Sequence, residues 1–114
     1  MNVQTIALDL NKGNRDAGIL RIGQRDKNAP ILQAAITDHG ALFDLANYAV
    51  RFKMRKPSGG VYEVEGTTDG NVATFSLDGM EPGISEIAYV QISNENTVAS
   101  TQRVRVEVLE GICK

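Results

Sequence analysis

The sequence predicts an all-β protein: a single antiparallel β-sandwich of immunoglobulin-like type, with about seven to eight strands. Apolar and polar residues alternate with a period of two through most of the chain. Turn-forming residues recur about every ten residues, and no stretch of roughly 12 residues shows helical periodicity. The 114 residues are 42% hydrophobic, which suffices for a core without metals or disulfides.

The strands are predicted from this alternation, and each is bounded by turn chemistry. They cover residues 3–10, 19–24, 31–37, 49–56, 61–65, 72–77, 84–93 and 97–109. The polar loop 11–16 follows the first strand, and a tight turn at Asp38-His39-Gly40 follows the third. Glycines at 59 and 60 predict a hairpin after the clearest strand, 49–56.

Two segments leave more than one interpretation open. Residues 41–48 fit either one short helical turn or an irregular crossover that packs its side chains into the core. In strand 84–93, Ile84 is in phase with Ala88, and Tyr89 lies on the opposite face, which predicts a strand buried on both sides. Phe43 and Tyr48 of the first segment and Tyr89 of the second are predicted structural residues, Tyr89 through a hydroxyl bond to the 78–83 corner.

Residues 1–110 are predicted to form the sandwich and residues 111–114 a flexible C-terminal tail. Cys113, the single cysteine, is expected to be a free thiol in that tail. The N-terminus has neither a basic region nor an apolar run, so no secretory signal is predicted, and no apolar run is long enough for a membrane span. We therefore expect synthesis in a cytoplasm and no membrane partner.

The residue types that carry catalysis or bind cofactors are sparse. One histidine, His39, cannot build a histidine metal site and is expected to be a solvated turn residue. Glu63 and Glu65 share a strand face, but a solvated face explains them better than acid–base catalysis. No phosphate loop, calcium loop or nucleophile elbow is present. We predict no catalytic residues, no metal and no cofactor.

A basic stripe is the most pointed charge feature. Arg51, Lys53 and Arg55 share one strand face, and Arg103 and Arg105 would extend the stripe if the last strand joins the same sheet. The stripe fits a solvated sheet face, a contact surface for an acidic protein, or a nucleic-acid track. A net charge of −2 and the absence of aromatic residues on that face argue against nucleic acid.

Several segments in order resemble a known family. The most specific runs from Ile36 through the turn and Phe43-Asp44-Leu45 to Phe52-Lys53-Met54-Arg55-Lys56-Pro57. The opening run 6–12, Pro82-Gly83 before 88–92, and the strand 104–109 complete the pattern. Together they resemble the N-terminal domain of the baseplate upper protein family of tailed phages that infect Gram-positive bacteria.

The resemblance implies a non-enzymatic structural adaptor. Such domains are β-sandwiches at the start of a longer, usually trimeric protein that joins a receptor-binding assembly to the central distal tail hub. Expected partners are therefore the hub and the receptor-binding protein, and the expected location is the virion tail baseplate. The chain ends at Lys114, where the family would continue into a helical or fibrous trimerising part. The resemblance supplies no functional residues.

A carbohydrate-binding module that contacts host cell-wall glycan is the alternative function. Sandwiches of this size often bind sugars, but sugar sites usually need solvent-facing aromatic platforms. The chain has no Trp, three Tyr and three Phe, which disfavours this alternative.

Overall fold

Two β-sheets packed face to face form the fold of the computed structural model, which describes residues 3–10, 19–23, 30–77, 80 and 82–109. The strands are β1 (Val3–Asp9), β2 (Ile19–Gly23), β3 (Ile31–Asp38), β4 (Ala41–Leu42), β5 (Ala49–Arg55), β6 (Val61–Glu65), β7 (Thr67–Asp69), β8 (Val72–Ser76), β9 (Gly83–Ser93), β10 (Val98–Ser100) and β11 (Val104–Leu109). The predicted β-sandwich is confirmed. The predicted loop 11–16 and tail 111–114 lie outside the described residues.

Sheet A has the strand order β1-β3-β8-β7, with β4 paired to β3. Sheet B has the order β2-β11-β9-β5-β6, with β10 paired to β9. The described part of the chain thus holds eleven strands where about seven to eight are predicted. The excess comes from short strands: β4 and β7 are additional, and the predicted strand 97–109 is divided into β10 and β11.

The prediction of a wholly antiparallel sandwich is wrong for two strand pairs. β1 pairs with β3 in parallel, and β2 pairs with β11 in parallel. The chain passes from β1 in sheet A to β2 in sheet B and back to β3 in sheet A. Alternation of residues within a strand reveals its buried face but not its neighbour, so the sequence pattern could not show this pairing.

The core lies between the sheets and is built from the inward residues of both. Phe52 of β5 and Phe75 of β8 are fully buried, with ring centroids 6.0 Å apart across the two sheets. Tyr62 of β6 packs edge-on against Phe52 at 6.5 Å. Aromatic pairs in these tilted arrangements stabilise a core beyond the area that they bury.

At one edge of the sandwich the chain itself passes between the sheets. Only Gly66 separates β6 of sheet B from β7 of sheet A, and its amide donates to the carbonyl of Val50, 3.1 Å away. A Cβ atom at this position would lie 2.5 Å from the carbonyl oxygen of Thr74 and 2.5 Å from the ring of Phe75. Glycine is therefore required at this corner because the chain passes too close to β8 for a side chain.

At the opposite edge, hydrogen bonds join the sheets through Asp9 and Gln102, a pair that we call the Asp9–Gln102 clasp. The Asp9 amide donates to Gln102 Oε1 at 2.9 Å, and the Gln102 amide donates to the Asp9 carbonyl at 2.8 Å. These residues are only 7% and 9% exposed and lie 93 positions apart in the chain. The clasp interrupts the predicted strand 97–109, because Gln102 turns toward β1 between β10 and β11.

The carboxylate of Asp9 also shapes the turn after β3. It accepts from Thr37 Oγ1 at 2.8 Å, from the His39 amide at 3.0 Å and from the Gly40 amide at 2.8 Å. His39 adopts a left-handed conformation with φ 52°. As predicted, His39 is an exposed turn residue, but a carboxylate from a different strand holds the turn.

A β-bulge in β9 corrects the predicted phase of that strand. Val104 pairs with Ala88 and Val106 with Ser85, so three steps along β9 match two along β11. The Ser85 hydroxyl fills the bulge by donating to the Ile87 carbonyl at 3.0 Å and accepting from the Ile87 amide at 3.3 Å. Ile84 is consequently 50% exposed instead of sharing the buried face of Ala88.

The ambiguous segment 41–48 is an irregular crossover from sheet A to sheet B. After β4, the Leu45 amide donates to the Gly70 carbonyl at 2.9 Å, and the Leu45 side chain is fully buried. Phe43 and Tyr48 are half-buried on this segment, with ring centroids 5.3 Å apart. The segment therefore packs into the core without a helical turn.

Candidate protein-binding surface

The predicted basic stripe lies on the outer face of sheet B, where glutamates of β6 oppose it. Arg51 pairs in register with Glu65 and Lys53 with Glu63. The Arg51 guanidinium lies 3.2 Å from Glu65 Oε2 and 3.4 Å from Glu63 Oε2. Two carboxylates thus neutralise the Arg51 end of the stripe, and Glu63 and Glu65 act as ion-pair partners on a solvated face.

The two arginines near the C-terminus belong to the same region of sheet B. β9 lies between β11 and β5, so the backbones of β11 and β5 are about 10 Å apart across the sheet. Arg105 Nε lies 3.7 Å from Glu86 Oε2, an ion pair too long for a hydrogen bond. Arg103 is exposed just before β11. Sheet B therefore brings Arg51, Lys53, Arg55 and Arg105 to its outer face.

A shallow groove of about 290 Å³ opens at the hairpin end of this face. Its lining comprises Lys53, Met54, Arg55, Gly60, Val61, Ile87 and Tyr89. Val61 is 64% exposed, and Ile87 and Tyr89 are half-buried on the outer face of β9. We call this depression the hairpin groove; it combines an apolar floor with two cations at its border.

Tyr89 lies on the outer face of sheet B. It lies on β9 opposite Lys53 and lines the hairpin groove. Residues 78, 79 and 81 of the corner, to which its hydroxyl is predicted to bond, lie outside the described residues. Its structural role stays a prediction, as do the roles of Phe43 and Tyr48.

The outer face of sheet A differs sharply in composition. β1, β3 and β8 present the side chains of Thr5, Ala7, Gln33, Ala35, Val72 and Thr74 to this side. The central residues of this face are small or uncharged, and the described residues at its centre include no cation. Charge on the two outer faces is therefore concentrated on sheet B.

The structure supplies little for catalysis within its described ranges. No group of three or more His, Cys, Asp or Glu side chains is placed to hold a metal ion in this part of the chain. No helix among the described residues is long and apolar enough to cross a membrane. On the outer face of sheet B, the described residues thus form ion pairs and a shallow groove.

Sequence reasoning missed Asp9 and the hairpin groove for different reasons. Asp9 has a signal in the sequence, since a carboxylate ends an otherwise uncharged seven-residue strand. Its donors lie about 30 and 90 residues away, which alternation cannot reveal. The groove depends on the order β9-β5-β6, in which Ile87 and Val61 flank Arg55, and no local pattern predicts that order.

Comparison with solved structures supports the same architecture. The N-terminal domain of phage TP901-1 ORF48 superposes with a TM-score of 0.72 at 18% sequence identity. The alignment covers 96% of this chain and 99% of that domain. The two chains therefore share a fold over nearly their whole lengths. A comparison with curated protein sequences finds no significant match.

The sandwich thus has the fold of a domain from a phage protein. The family model of the BppU N-terminal domain matches residues 2–77, about two thirds of the chain. The chain belongs to this baseplate upper protein (BppU) N-terminal domain family. The match includes the segment 36–57 that carries the resemblance. The resemblance to this family is therefore confirmed. Family membership implies a location in the virion tail and contacts with other phage tail proteins.

Proposed function

We propose that this domain is a non-enzymatic structural adaptor of a phage or prophage tail baseplate. It attaches a receptor-binding assembly to the central distal tail hub after synthesis in the cytoplasm of the bacterial host. The observation that carries this proposal is the family match over residues 2–77. In the context of a longer protein, we expect the domain to act as part of a homotrimer.

The exposed surface is consistent with an adaptor. Sheet B carries Arg51, Lys53, Arg55 and Arg105 on its outer face, partly compensated by glutamates, and electrostatic patterns of this kind select partners and orient them. All six aromatic residues of the chain are buried or half-buried, so none forms the solvent-facing platform of a typical sugar site. The carbohydrate-binding alternative is therefore the weaker of the two.

Light scattering of the purified chain, alone and mixed with the distal tail hub protein from the same genome, tests this function. We expect a discrete complex of larger, defined mass in the mixture. The control is the hub mixed with an unrelated β-sandwich of similar size and charge. If no complex forms at concentrations up to about 100 μM, the hub assignment is wrong, because a dissociation constant above that value is too weak for a structural contact.

Calorimetric titration with cell-wall polysaccharide from the host addresses the alternative. Saturable heat in the absence of any hub complex would replace the adaptor function with carbohydrate binding. A hub complex without saturable heat is the result that we expect.

A further inference from the structure

The compensation of charge along the basic stripe is uneven. Arg51 has two carboxylates within 3.4 Å, whereas the Lys53 ammonium is 3.9 Å from Glu63 Oε1. Arg55 is exposed and has no ion pair with a carboxylate of the described residues. Its cross-strand neighbour is Val61, an aliphatic residue at the position where Glu63 and Glu65 oppose the preceding cations. Positive charge is thus left uncompensated at the hairpin end.

The uncompensated cation borders the apolar part of the same surface. Arg55 and Lys53 line the hairpin groove together with Val61, Ile87 and Tyr89. Val61 at 64% exposure places an aliphatic side chain in water beside a cation that lacks a described partner. An exposed apolar surface with a charged border is typical of a contact site for another protein.

The chemistry of the groove indicates what it binds. An apolar side chain of the ligand would pack against Val61 and Ile87. Carboxylates beside that side chain would bind Arg55 and Lys53. A nucleic acid fits poorly because it has no aliphatic side chain to cover the exposed Val61, and the half-buried Tyr89 offers no free stacking face. The groove spans β9, β5 and β6 on the outer face of the sheet, so recognition would occur through side chains on that face.

We propose that the hairpin groove is the docking site for an acidic segment of a partner protein, in which carboxylates flank an aliphatic side chain. This inference rests on the proposed adaptor function and names the surface and the chemistry of the contact. Arg55 and Lys53 bind the carboxylates, and the aliphatic side chain covers Val61 and Ile87. The ion pairs of Arg51 lie on the same two strands beside the site.

The test uses the full chain labelled with ¹⁵N and a blocked peptide, Glu-Leu-Glu-Leu-Glu, followed by amide chemical shifts. We expect saturable shifts centred on Lys53, Arg55, Val61, Ile87 and Tyr89. The peptide Lys-Leu-Lys-Leu-Lys is the matched control and should produce none of them. Raising salt from about 50 mM to 500 mM should weaken binding because the contact is between exposed charges.

Two groove variants and one control variant locate the site. Arg55→Glu and Val61→Asp should each raise the dissociation constant roughly tenfold, since each removes one half of the recognition. Gln33→Glu adds one negative charge, as Val61→Asp does, but on the exposed outer face of sheet A, and should change the dissociation constant less than about twofold. The amide spectrum of each variant verifies that it is folded.

Shifts that are absent, that lie elsewhere, or that survive Arg55→Glu unchanged would overturn the docking site. The hub mixture separates this result from a failure of the adaptor function. If the wild-type chain binds the hub and both groove variants bind equally well, the adaptor function stands and the groove proposal falls. If the peptide binds in the groove but no hub complex forms, the hub assignment falls instead.

Discussion

The two edges of the sandwich join the same two sheets by different means. At the β6–β7 edge the backbone passes from sheet B to sheet A through Gly66 alone. At the β1 edge the Asp9–Gln102 clasp joins the sheets by hydrogen bonds between residues 93 positions apart. The first edge depends on close packing at one residue, and the second depends on satisfied buried polar groups. Substitutions should therefore lower the free energy of unfolding for different reasons at the two edges: a steric clash at Gly66, and unsatisfied buried polar groups at the clasp.

The largest effect is expected at the β6–β7 edge, where the backbone itself joins the two sheets. Gly66→Ala places a Cβ atom 2.5 Å from the Thr74 carbonyl oxygen, and backbone cannot move aside as a flexible side chain can. We expect a loss of about 3 kcal/mol in the free energy of unfolding, measured by urea denaturation. Gly70→Ala is the control: it has open space around the Cβ, so its φ of 63° alone should cost about 1 kcal/mol. Equal costs for the two variants would show that the corner has room.

At the clasp edge, Asp9→Asn tests the role of a charged acceptor. The carboxylate accepts three hydrogen bonds, from Thr37 Oγ1 and the amides of His39 and Gly40. The asparagine side chain carries an NH2 group in place of one carboxylate oxygen. That group is itself a donor, so at least one of the three hydrogen bonds would be lost. We expect a loss of about 2–3 kcal/mol and faster hydrogen exchange at the Gly40 amide.

Asp38→Asn is the matched control for that variant, because Asp38 is an exposed carboxylate in the same turn. It should change stability by less than about 0.5 kcal/mol. If Asp38→Asn is as costly as Asp9→Asn, the turn depends on local sequence and not on the clasp edge.

Gln102→Ala tests the clasp itself, with a smaller expected effect. The substitution leaves the Asp9 amide without its side-chain acceptor, while the backbone bond from the Gln102 amide to the Asp9 carbonyl can persist. We expect a loss of about 1–2 kcal/mol by urea denaturation. Gln33→Ala, at an exposed position of sheet A, should have little effect. A neutral Gln102→Ala would mean that the backbone bond alone holds this edge.

The two edges also show how far sequence reasoning reaches. Alternation predicted the strands that hold Val50, Phe52 and Met54, because a strand with one buried face repeats every two residues. It did not predict that Gly66 changes sheets, since a single glycine between polar residues is also typical of an ordinary turn. Alternation does not reveal the role of Asp9 either, because the groups that bond to its carboxylate are distant in the chain.

The candidate site was predictable in part. The stripe of Arg51, Lys53 and Arg55 follows directly from the alternation in β5. Which cation is compensated depends on the register with β6, where Glu65 faces Arg51 but Val61 faces Arg55. Register is fixed by the hairpin that the glycines at 59 and 60 close, so this part could be anticipated. The contribution of Ile87 could not, because it depends on a long-range pairing and a bulge in β9.

The smallest effect is expected from the ion pairs beside the β6–β7 edge. Arg51→Ala removes contacts of 3.2 and 3.4 Å to Glu65 and Glu63 on β6, but these groups are 38–76% exposed. Because exposed pairs contribute little and the chain itself holds β6 through Gly66, we expect a loss of about 0.5 kcal/mol that vanishes in roughly 1 M salt. Arg21→Ala removes a comparable exposed pair with Glu107 and should behave alike. A loss above about 2 kcal/mol for Arg51→Ala alone would mean that the ion pairs, and not the continuous backbone, hold that edge together.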